Sequence, residues 1–486
     1  MTEVWELTAV DLAAAVRARE VSPVEVMETV AARIEDLDPV LHAFCTPMLD
    51  TARADAKALE ARLAAGDEVG PLAGVPLAVK DLISTAGVRT AGGCPAYRDF
   101  VPDEDDVVVE RVKAADALLV GKTNVSELGY GGVGHNPVFP TTLNPWNTRM
   151  TSGGSSAGSA VAVATGMSAL ALGSDGGGSI RIPASFCGVF GMKASMGRVP
   201  LYPGCRDERY PGLSSWESLE HIGPLTRTVA DSGLLLSVIA GPDARDRHSI
   251  PTCDVDWQAA ASGTRDIRGL RVAYTEDWGY AAVDPEVRRV FRDAVAVFES
   301  QLGCMVEQLE SPWRDPAATF DALVALESDL TGMRALAGEY GSQMSPHVVE
   351  MVTREWRAHE FTDAITRRKE IANTMARIMG RYDLLLTPAA ATPAFPVGLA
   401  GPDTIEGRAV DTGAWNYFTY LANLTGQPAA SVPAGLTVSG LPVGLHVIGR
   451  HLADATVLRA SAAFERATSP CRVPLPLAAI GAPGAG

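Results

Sequence analysis

The chain has 486 residues, of which 47% are hydrophobic and 20% are charged, as in a soluble globular protein with a large core. Its formal net charge of −17, with scattered lysines and arginines, excludes a polyanion such as nucleic acid as the partner. The longest run of small apolar residues, 160–173, is too short to cross a bilayer. We therefore expect a protein that binds neither nucleic acid nor a membrane.

The N-terminal segment, residues 1–69, is predicted to be helical. Apolar residues recur at helical spacing from 8 to 65. Ser22 followed by Pro23 is typical of an N-cap with proline at the first helical position, and Gly66 is a typical helix stop. The opening residues alternate apolar and charged positions, so we expect no export signal there.

The next part of the chain alternates strands with helices. A buried strand is predicted at 70–83, a helix at 107–115 and a strand at 118–121. The acidic run 103–106 predicts a solvated turn. Residues 151–191 are rich in Gly, Ser and Ala, which suits either a linker or tight backbone packing. The interleaved Val, Ile, Phe and Met favour packing.

The same alternation continues to the C-terminus and predicts an α/β fold. Helices are expected at 231–240, 285–301, 317–338 and 360–381, and strands at 268–275, 382–387 and twice within 423–448. The final segment GAPGAG, residues 481–486, is predicted to be disordered.

The spacing of the cysteines and histidines indicates which kinds of disulfide, thiol and metal site the chain could form. Seven widely spread cysteines without a CxxC pair are most simply reduced thiols in a cytoplasm. Cys187 is expected to be a small buried filler because no histidine motif accompanies it. The eight histidines contain no HExxH and no metal-ligand spacing, so we predict no metal and no cofactor.

Lys80 lies in an otherwise apolar run, 75–83. Burial disfavours the charged form of a lysine and lowers its pKa, which would make a neutral amine available as a base near pH 7. The alternative interpretation is a lysine that pairs with the neighbouring Asp81.

Ser179 follows three consecutive glycines, and such residues can point successive N–H groups at one spot, as a tetrahedral oxyanion requires. The predicted donors are Gly176, Gly177 and Gly178 together with the Ser179 N–H. A tight structural turn or a phosphate cradle is the alternative, although the lysine position of a GxxxxGK[ST] motif is missing. Asp175 and Arg181, which flank the serine, are expected to pair and hold this loop.

Ser155 follows two glycines and precedes Ser156. Either serine could be the N-cap of a following helix. Ser155 could have a catalytic role even if one of the two serines caps the helix.

Three motifs carry a resemblance to a known family. GVPLAVKDL (74–82), SGGSSAGSA (152–160) and GSDGGGSIRIPASFCG (173–188) resemble the motifs of the Ser-cisSer-Lys triad of the amidase signature family, whose members hydrolyse carboxamides. Further segments are similar to family segments: GKTNVSEL (121–128), NPWN (144–147), FGMKAS (190–195), YDLLLTPAAATPAFPVG (382–398) and NLTGQPAASVPAGLTVSGLPVGLHVIGR (423–450). The resemblance covers about residues 8–465.

This resemblance implies a single α/β/α body in which helices surround a large central mixed sheet. It implies that Ser179 forms an acyl-enzyme, that Ser155, at a cis peptide bond, relays a proton to Lys80, and that Ser156 supports them. The expected organisation is one domain over 1–486, with the signature core at 70–245 and 376–470. Residues 246–375 are the least similar to the family and are expected to shape the substrate pocket. Residues 471–486 are expected to form a C-terminal tail.

Two positions depart from the family pattern. Gly176 stands where Thr or Ile is usual, which is expected to loosen the oxyanion hole. Asn416 stands where the glutaminase subunits of tRNA-dependent amidotransferases carry an aspartate. The predicted substrate-binding residues are Tyr130, Gly131, Gly132 and Asn416. His135 and the aromatic residues Trp415, Tyr417 and Phe418 are pocket candidates that fit a loop or core role equally well.

The primary hypothesis is a stand-alone amidase, or amidohydrolase, acting on a small-molecule amide. Esters and carbamates are easier acyl transfers, so a urethanase activity is left open, as is a homodimer. One alternative is the glutaminase subunit of a tRNA-dependent amidotransferase, which works only with partner chains. The other is a non-catalytic binding protein that retains the fold.

Overall fold

The computed structural model describes residues 3–203, 209–213, 216–251, 255–469 and 473. The tail predicted to be disordered lies outside these residues. The helices are α1 Ala9–Arg17, α2 Pro23–Leu41, α3 Leu49–Ala65, α4 Val107–Ala114, α5 Ala157–Ala164, α6 Arg181–Cys187, α7 Val229–Ile239, α8 Trp257–Ala261, α9 Pro285–Ser300, α10 Ala317–Leu326, α11 Leu330–Tyr340, α12 Pro346–Thr353, α13 Ala358–Met379, α14 Tyr420–Thr425 and α15 Asp454–Thr468.

The strands alternate with these helices, as the sequence predicted. They are β1 Phe44–Pro47, β2 Pro76–Lys80, β3 Leu118–Thr123, β4 Leu143–Asn144, β5 Asn147–Thr151, β6 Leu170–Ser174, β7 Phe190–Lys193, β8 Ile222–Thr226, β9 Arg271–Tyr274, β10 Met305–Gln308, β11 Leu384–Pro388, β12 Thr404–Ile405, β13 Arg408–Ala409, β14 Ala429–Leu436 and β15 Pro442–Gly449.

An 11-stranded mixed sheet runs in the order β1-β3-β2-β6-β8-β7-β14-β15-β11-β9-β10. The six strands from β1 to β7 in this order come from residues 44–226, and the remaining five come from 271–449. The two groups meet where β7 pairs antiparallel with β14, and Gly191 lies opposite Ser431. We call this pairing the seam.

Helices cover both faces of the sheet. Successive residues of a strand point to opposite faces. Leu77 and Val79 of β2 belong to the apolar core that includes α7 and α15, whereas Ala78 belongs to the core that includes α2 and α5. This arrangement confirms the predicted α/β/α fold with a large mixed sheet.

The predicted N-terminal helices are present, with one difference. The Ser22 hydroxyl accepts a hydrogen bond from the Val24 N–H at 3.0 Å, and Gly66 ends α3 with φ of +86°. Between these helices, however, β1 forms the edge of the sheet and pairs antiparallel with β3. A short edge strand between two amphipathic helices breaks their period too briefly to be recognised in sequence.

One further expectation needs correction. The acidic run 103–106 is not solvated throughout, because Asp106 is fully buried and caps α4 by accepting from the Val108 N–H at 3.1 Å. The tight backbone packing that the sequence favours for 151–191 is confirmed, against the linker alternative. This stretch forms α5, β6, α6 and β7, and nearly all of it is buried.

The region 246–375 is largely helical, as expected. The helix predicted at 317–338 is interrupted, because Asp329 caps a new helix by accepting from the Gly332 N–H at 2.9 Å. Across the described ranges, no helix is long and apolar enough to cross a membrane.

Candidate active site

Lys80 and Ser174 end two neighbouring parallel strands. Lys80 is the last residue of β2, Ser174 is the last residue of β6, and Val79 lies opposite Leu172. The carboxyl ends of parallel strands form one edge of a sheet, which is where α/β folds bind ligands. Both polar side chains therefore reach the same edge.

The Lys80 side chain is fully buried and donates to three oxygens. Its Nζ lies 2.8 Å from Ser155 Oγ, 2.8 Å from Ser174 Oγ and 3.1 Å from the Ser174 carbonyl. The neighbouring Asp81 carboxylate instead accepts from the Ala91 and Gly92 N–H groups, at 3.0 and 3.1 Å. The lysine thus contacts the serine hydroxyl that the triad hypothesis requires.

The peptide bond between Gly154 and Ser155 is cis, as the resemblance implied. Ser156 stands at the N-cap of α5, but its hydroxyl makes no capping bond. It donates to the Ser174 carbonyl at 3.1 Å and accepts from the Ser174 N–H at 3.2 Å. Its own N–H donates to the Ser179 carbonyl at 3.1 Å. Ser156 therefore ties both ends of the Ser179 loop to α5.

Ser179 is half-buried and follows a glycine turn in which Gly178 has φ of +126°. This is a region that side chains avoid. The Gly178 N–H donates to Asp175 Oδ1 at 2.7 Å and is therefore occupied. This narrows the predicted oxyanion donors to the N–H groups of Gly176, Gly177 and Ser179.

Asp175 and Arg181 form a fully buried ion pair with an Oδ1 to Nη2 distance of 2.8 Å. Burial alone would raise the pKa of the Asp175 carboxyl, but the Arg181 guanidinium and the Asn423 amide hold it well below its usual value. The carboxylate stays ionised and also accepts from the Ile180 N–H at 3.2 Å. The pair thus holds the backbone on both sides of Ser179.

Residues from the far side of the seam complete this support. Arg181 donates to the Thr419 carbonyl at 3.0 Å, to Asn423 Oδ1 at 2.5 Å and to His446 Nε2 at 2.9 Å. The Thr419 hydroxyl donates to the Gly177 carbonyl at 2.5 Å. Sequence reasoning missed these residues, because nothing local distinguishes them. The only available signal was that the similar segment 423–450 contains two of them.

Gly176 faces a space that other side chains already fill. A Cβ atom on Gly176 would lie 2.6 Å from Glu220 Oε2 and would overlap the Trp216 indole ring. The Trp216 and Glu220 side chains therefore fill the space that a Thr or Ile side chain would occupy at this position. This corrects the expectation that glycine at this position loosens the oxyanion hole.

A small cavity of about 10 Å³ lies between these groups. Its polar lining includes Ser155, Ser174, Ser179 and the carboxyl of Glu220. Its apolar walls are the side chains of Leu82, Leu128, Leu213 and Trp216. Burial raises the pKa of Glu220 to about 7, although Lys80 and the Ser174 hydroxyl oppose that rise.

The four predicted substrate-binding residues do not lie together. The Tyr130 hydroxyl is buried, 2.6 Å from Ser328 Oγ and 3.3 Å from Nε1 of Trp216, so it supports the cavity wall from behind. Gly131 is exposed. Gly132 lies beside Asn416, whose Nδ2 is 3.1 Å from the position of a Cβ on that glycine. Asn416 Oδ1 is buried and has no hydrogen-bond partner among the described residues.

The lesser candidates are placed as follows. Cys187 is fully buried, and burial raises the pKa of its thiol. His135 is exposed and contacts Thr141 Oγ1 at 3.0 Å. Trp415 and Phe418 are buried core residues, and Tyr417 is half-buried. Among the residues with described structure, no group of three His, Cys, Asp or Glu side chains could hold a metal ion.

Comparison with known proteins identifies the family. The amidase family model matches residues 25–458. The chain belongs to the amidase signature family. As an amidase it hydrolyses carboxamides, as the sequence motifs predicted.

The relatives of this amidase include both kinds of enzyme weighed above. The acylamidase of Rhodococcus erythropolis is 36% identical over 94% of this chain and 95% of its own length. A glutamyl-tRNA(Gln) amidotransferase subunit of Geobacter metallireducens is 34% identical over 96% of this chain and 98% of its own length. A solved bacterial aryl acylamidase of the same family matches with a TM-score of 0.86 and 32% identity, covering 95% of this chain and 96% of its own.

Proposed function

We propose that the amidase works alone on small carboxamides and that Ser179 is its nucleophile. The observation that carries this proposal is the 2.8 Å hydrogen bond from Lys80 Nζ to Ser155 Oγ beside a cavity that Ser179 also lines. A base, a relay hydroxyl and a second hydroxyl open to a ligand are the parts that acyl transfer requires.

In this mechanism neutral Lys80 takes the proton of Ser155, which takes the proton of Ser179 as the Ser179 oxygen attacks the carbonyl carbon. The resulting oxyanion accepts from the N–H groups of Gly177 and Ser179, and Gly176 is a further candidate donor. Ser155 then returns the proton to the amide nitrogen, the C–N bond breaks, and an acyl-enzyme remains on Ser179. Water repeats the sequence and releases the carboxylic acid.

The supporting residues keep the nucleophile loop fixed while charge develops on the substrate. A preorganised N–H donor is typically worth about 3–4 kcal/mol in such a site. Ser156, Asp175 and Arg181 act here by position, since their hydrogen bonds go to the loop and to one another. Asp175 also removes the Gly178 N–H from the set of donors.

Substrate choice is proposed to depend on the walls around this cavity. Residues 246–375 contribute Phe320, which lies 2.6 Å from the position of a Cβ on Gly177, and Ser328, which holds Tyr130. We therefore propose that this helical region shapes the pocket within a single domain. The apolar walls favour acyl or amine groups without charge. Esters and carbamates, the urethanase substrates, fit the same machinery.

The test is amine release by the purified chain alone from anilides, aliphatic amides and glutamine. Ser179→Ala should abolish turnover, and Lys80→Met should reduce it by about 10²–10⁴-fold, the usual worth of a general base. Lys122→Met is the matched control, because Lys122 is an equally buried lysine at the end of the neighbouring strand β3. Turnover that survives in Ser179→Ala would refute the assignment.

The amidotransferase component remains the second candidate, because relatives of that kind match over 96% of the chain. Asn416 is uncharged, which removes the aspartate expected for a glutamine amine. If only glutamine is hydrolysed, and only after partner chains are added, this second candidate replaces the first. Light scattering of the same sample tests for the homodimer.

We propose a cytoplasmic setting for the enzyme. Four described cysteines, Cys45, Cys94, Cys187 and Cys304, are buried and not disulfide-bonded, which is the state that a reducing compartment maintains. Fractionation of the native host tests this location.

A further inference from the structure

Glu220 is a buried carboxyl group in the wall of the catalytic cavity. Only 4% of the residue is exposed, and it lines the cavity together with Ser155, Ser174 and Ser179. Its Oε2 atom lies against Gly176, at the start of the nucleophile loop. A carboxyl group in a catalytic cavity needs an explanation, because burial of a charge is costly unless a partner compensates it.

The Ser174 hydroxyl links Glu220 to the lysine. Lys80 Nζ donates to Ser174 Oγ at 2.8 Å, and both the Lys80 charge and the Ser174 hydroxyl favour the ionised form of Glu220. Lys80 thus has two polar branches, one through Ser155 toward the nucleophile and one through Ser174 toward Glu220.

Other charges near Glu220 are neutralised by different partners. The negative charge of Asp175 opposes the ionisation of Glu220, but Asp175 is paired with Arg181. On its other side, Glu220 lines a second small cavity with His221 and Asp246. Burial and the nearby Lys193 lower the pKa of His221 well below its usual value, so this histidine is uncharged at neutral pH.

The remaining neighbours do not replace Lys80 as the counter-charge. Asp246 carries the same sign as Glu220, and its Oδ2 accepts from the Leu201 N–H at 3.0 Å. The Lys193 Nζ atom lies 2.5 Å from the Gln427 carbonyl, 3.2 Å from His221 Nε2 and 3.3 Å from the Ala194 carbonyl, so its hydrogen bonds go to these groups and not to Glu220. Lys80 is therefore the cation that stabilises a Glu220 carboxylate.

We propose that Glu220 is a positioning residue for Lys80, which acts through the Ser174 hydroxyl to hold the ammonium in place and to set the pH at which the lysine becomes a neutral base. This inference rests on the proposed role of Lys80. An opposite charge favours the charged form of a lysine. Removal of the carboxylate therefore lets Lys80 lose its proton at a lower pH.

The test is the rate at which a fluorophosphonate labels the enzyme between pH 5 and pH 10. In this reaction Ser179 Oγ forms a bond to phosphorus, fluoride leaves, and the hydroxyl proton passes to the base. Wild type should show a rate that rises with pH to a plateau. In Glu220→Gln the midpoint of the rise should move down by about one pH unit, so that labelling below the midpoint is about tenfold faster. Glu220→Asp, which keeps the charge, should stay close to wild type.

A merely structural role for Glu220 would slow labelling equally at every pH, and an unmoved midpoint in Glu220→Gln overturns the proposal. If that variant does not fold, Ser174→Ala serves instead, because it removes the bridging hydroxyl. Its midpoint should also fall, and an unchanged midpoint there overturns the proposal as well. Labelling of Ser179→Ala at the wild-type rate would instead refute Ser179 as the nucleophile, so the two failures are distinguishable.

Discussion

At the scale of single residues, Gly176 illustrates how the loop that precedes Ser179 is packed. The indole of Trp216 and the carboxyl of Glu220 occupy the space that a side chain on Gly176 would need. The loop is therefore supported from outside by two side chains whose own backbone lies about forty residues further along. An added methyl group has no room to be accommodated.

We expect Gly176→Ala to lower the free energy of unfolding by about 1–3 kcal/mol, the usual cost of overpacking, and to reduce kcat/KM. Denaturant unfolding and anilide turnover measure the two effects. In a Trp216→Ala background the same substitution should cost less, because only the Glu220 carboxyl then occupies the space that the added methyl group needs. Equal costs in both backgrounds would show that Trp216 does not restrict this position.

The predictable residues of the site were those with local motifs. Lys80 stands out as a lysine in an apolar run, and Ser155 and Ser179 follow glycines. Glu220 and Trp216 could not be identified, because an acid and an aromatic residue in an ordinary stretch show nothing of the cavity they line. Their placement depends on long-range packing, which no short sequence window contains.

At the scale of secondary-structure elements, α4 begins with a buried acid that local sequence reasoning assigned to a solvated turn. Asp106 caps the helix through one oxygen, while its Oδ2 is buried and has no hydrogen-bond partner in the described part of the chain. Burial raises the pKa of Asp106 to about 8, although the Val108 N–H and Lys122 oppose that rise. The folded protein therefore binds a proton that the unfolded chain releases near pH 4.

This linkage predicts a pH-dependent stability. Because the folded state keeps the Asp106 proton, the contribution of Asp106 to the free energy of unfolding should fall as pH rises from about 4 to about 8, by about 1.4 kcal/mol per pH unit. Asp106→Asn keeps a capping oxygen but cannot titrate. Its advantage over wild type in denaturant unfolding should therefore grow between pH 5 and pH 8. Parallel stability curves for the two proteins would contradict this prediction.

The strong hydrophobic periodicity of the sequence predicts most of the helices and strands. The elements that it does not predict have local causes. The helix α9 was identified closely, since Asp284 and Pro285 mark its start. The strand β1 was missed because it is short and flanked by helices. The break between α10 and α11 was missed because one capping aspartate, Asp329, interrupts an otherwise continuous helical pattern.

At the scale of the whole molecule, Arg181 connects the two halves of the sheet. It belongs to the half that carries Lys80, Ser155 and Ser179, and three of its partners, Thr419, Asn423 and His446, come from beyond the seam. The guanidinium is fully buried and donates to each of them as well as to Asp175. Loss of this side chain removes contacts across the seam and leaves a carboxylate uncompensated.

We expect Arg181→Met to lower the free energy of unfolding by about 3–5 kcal/mol, the usual cost of breaking a buried ion pair. The rate of fluorophosphonate labelling should fall as well, because the Ser179 loop loses its anchor. Arg181→Lys should recover only part of both, since an ammonium restores the charge but not the forked geometry. If the free energy of unfolding of Arg181→Met equals that of wild type, the Arg181 contacts across the seam do not stabilise the fold.

The order of the strands also bears on how the chain is made. In the 11-stranded sheet, every strand on the Lys80 side of the seam precedes every strand on the other side, so a ribosome completes the first half before it begins the second. The Thr419 hydroxyl that holds the Gly177 carbonyl is 242 residues further along the chain. A nascent polypeptide therefore contains Lys80, Ser155 and Ser179 before it contains Thr419, Asn423 and His446, which complete the support of the Ser179 loop.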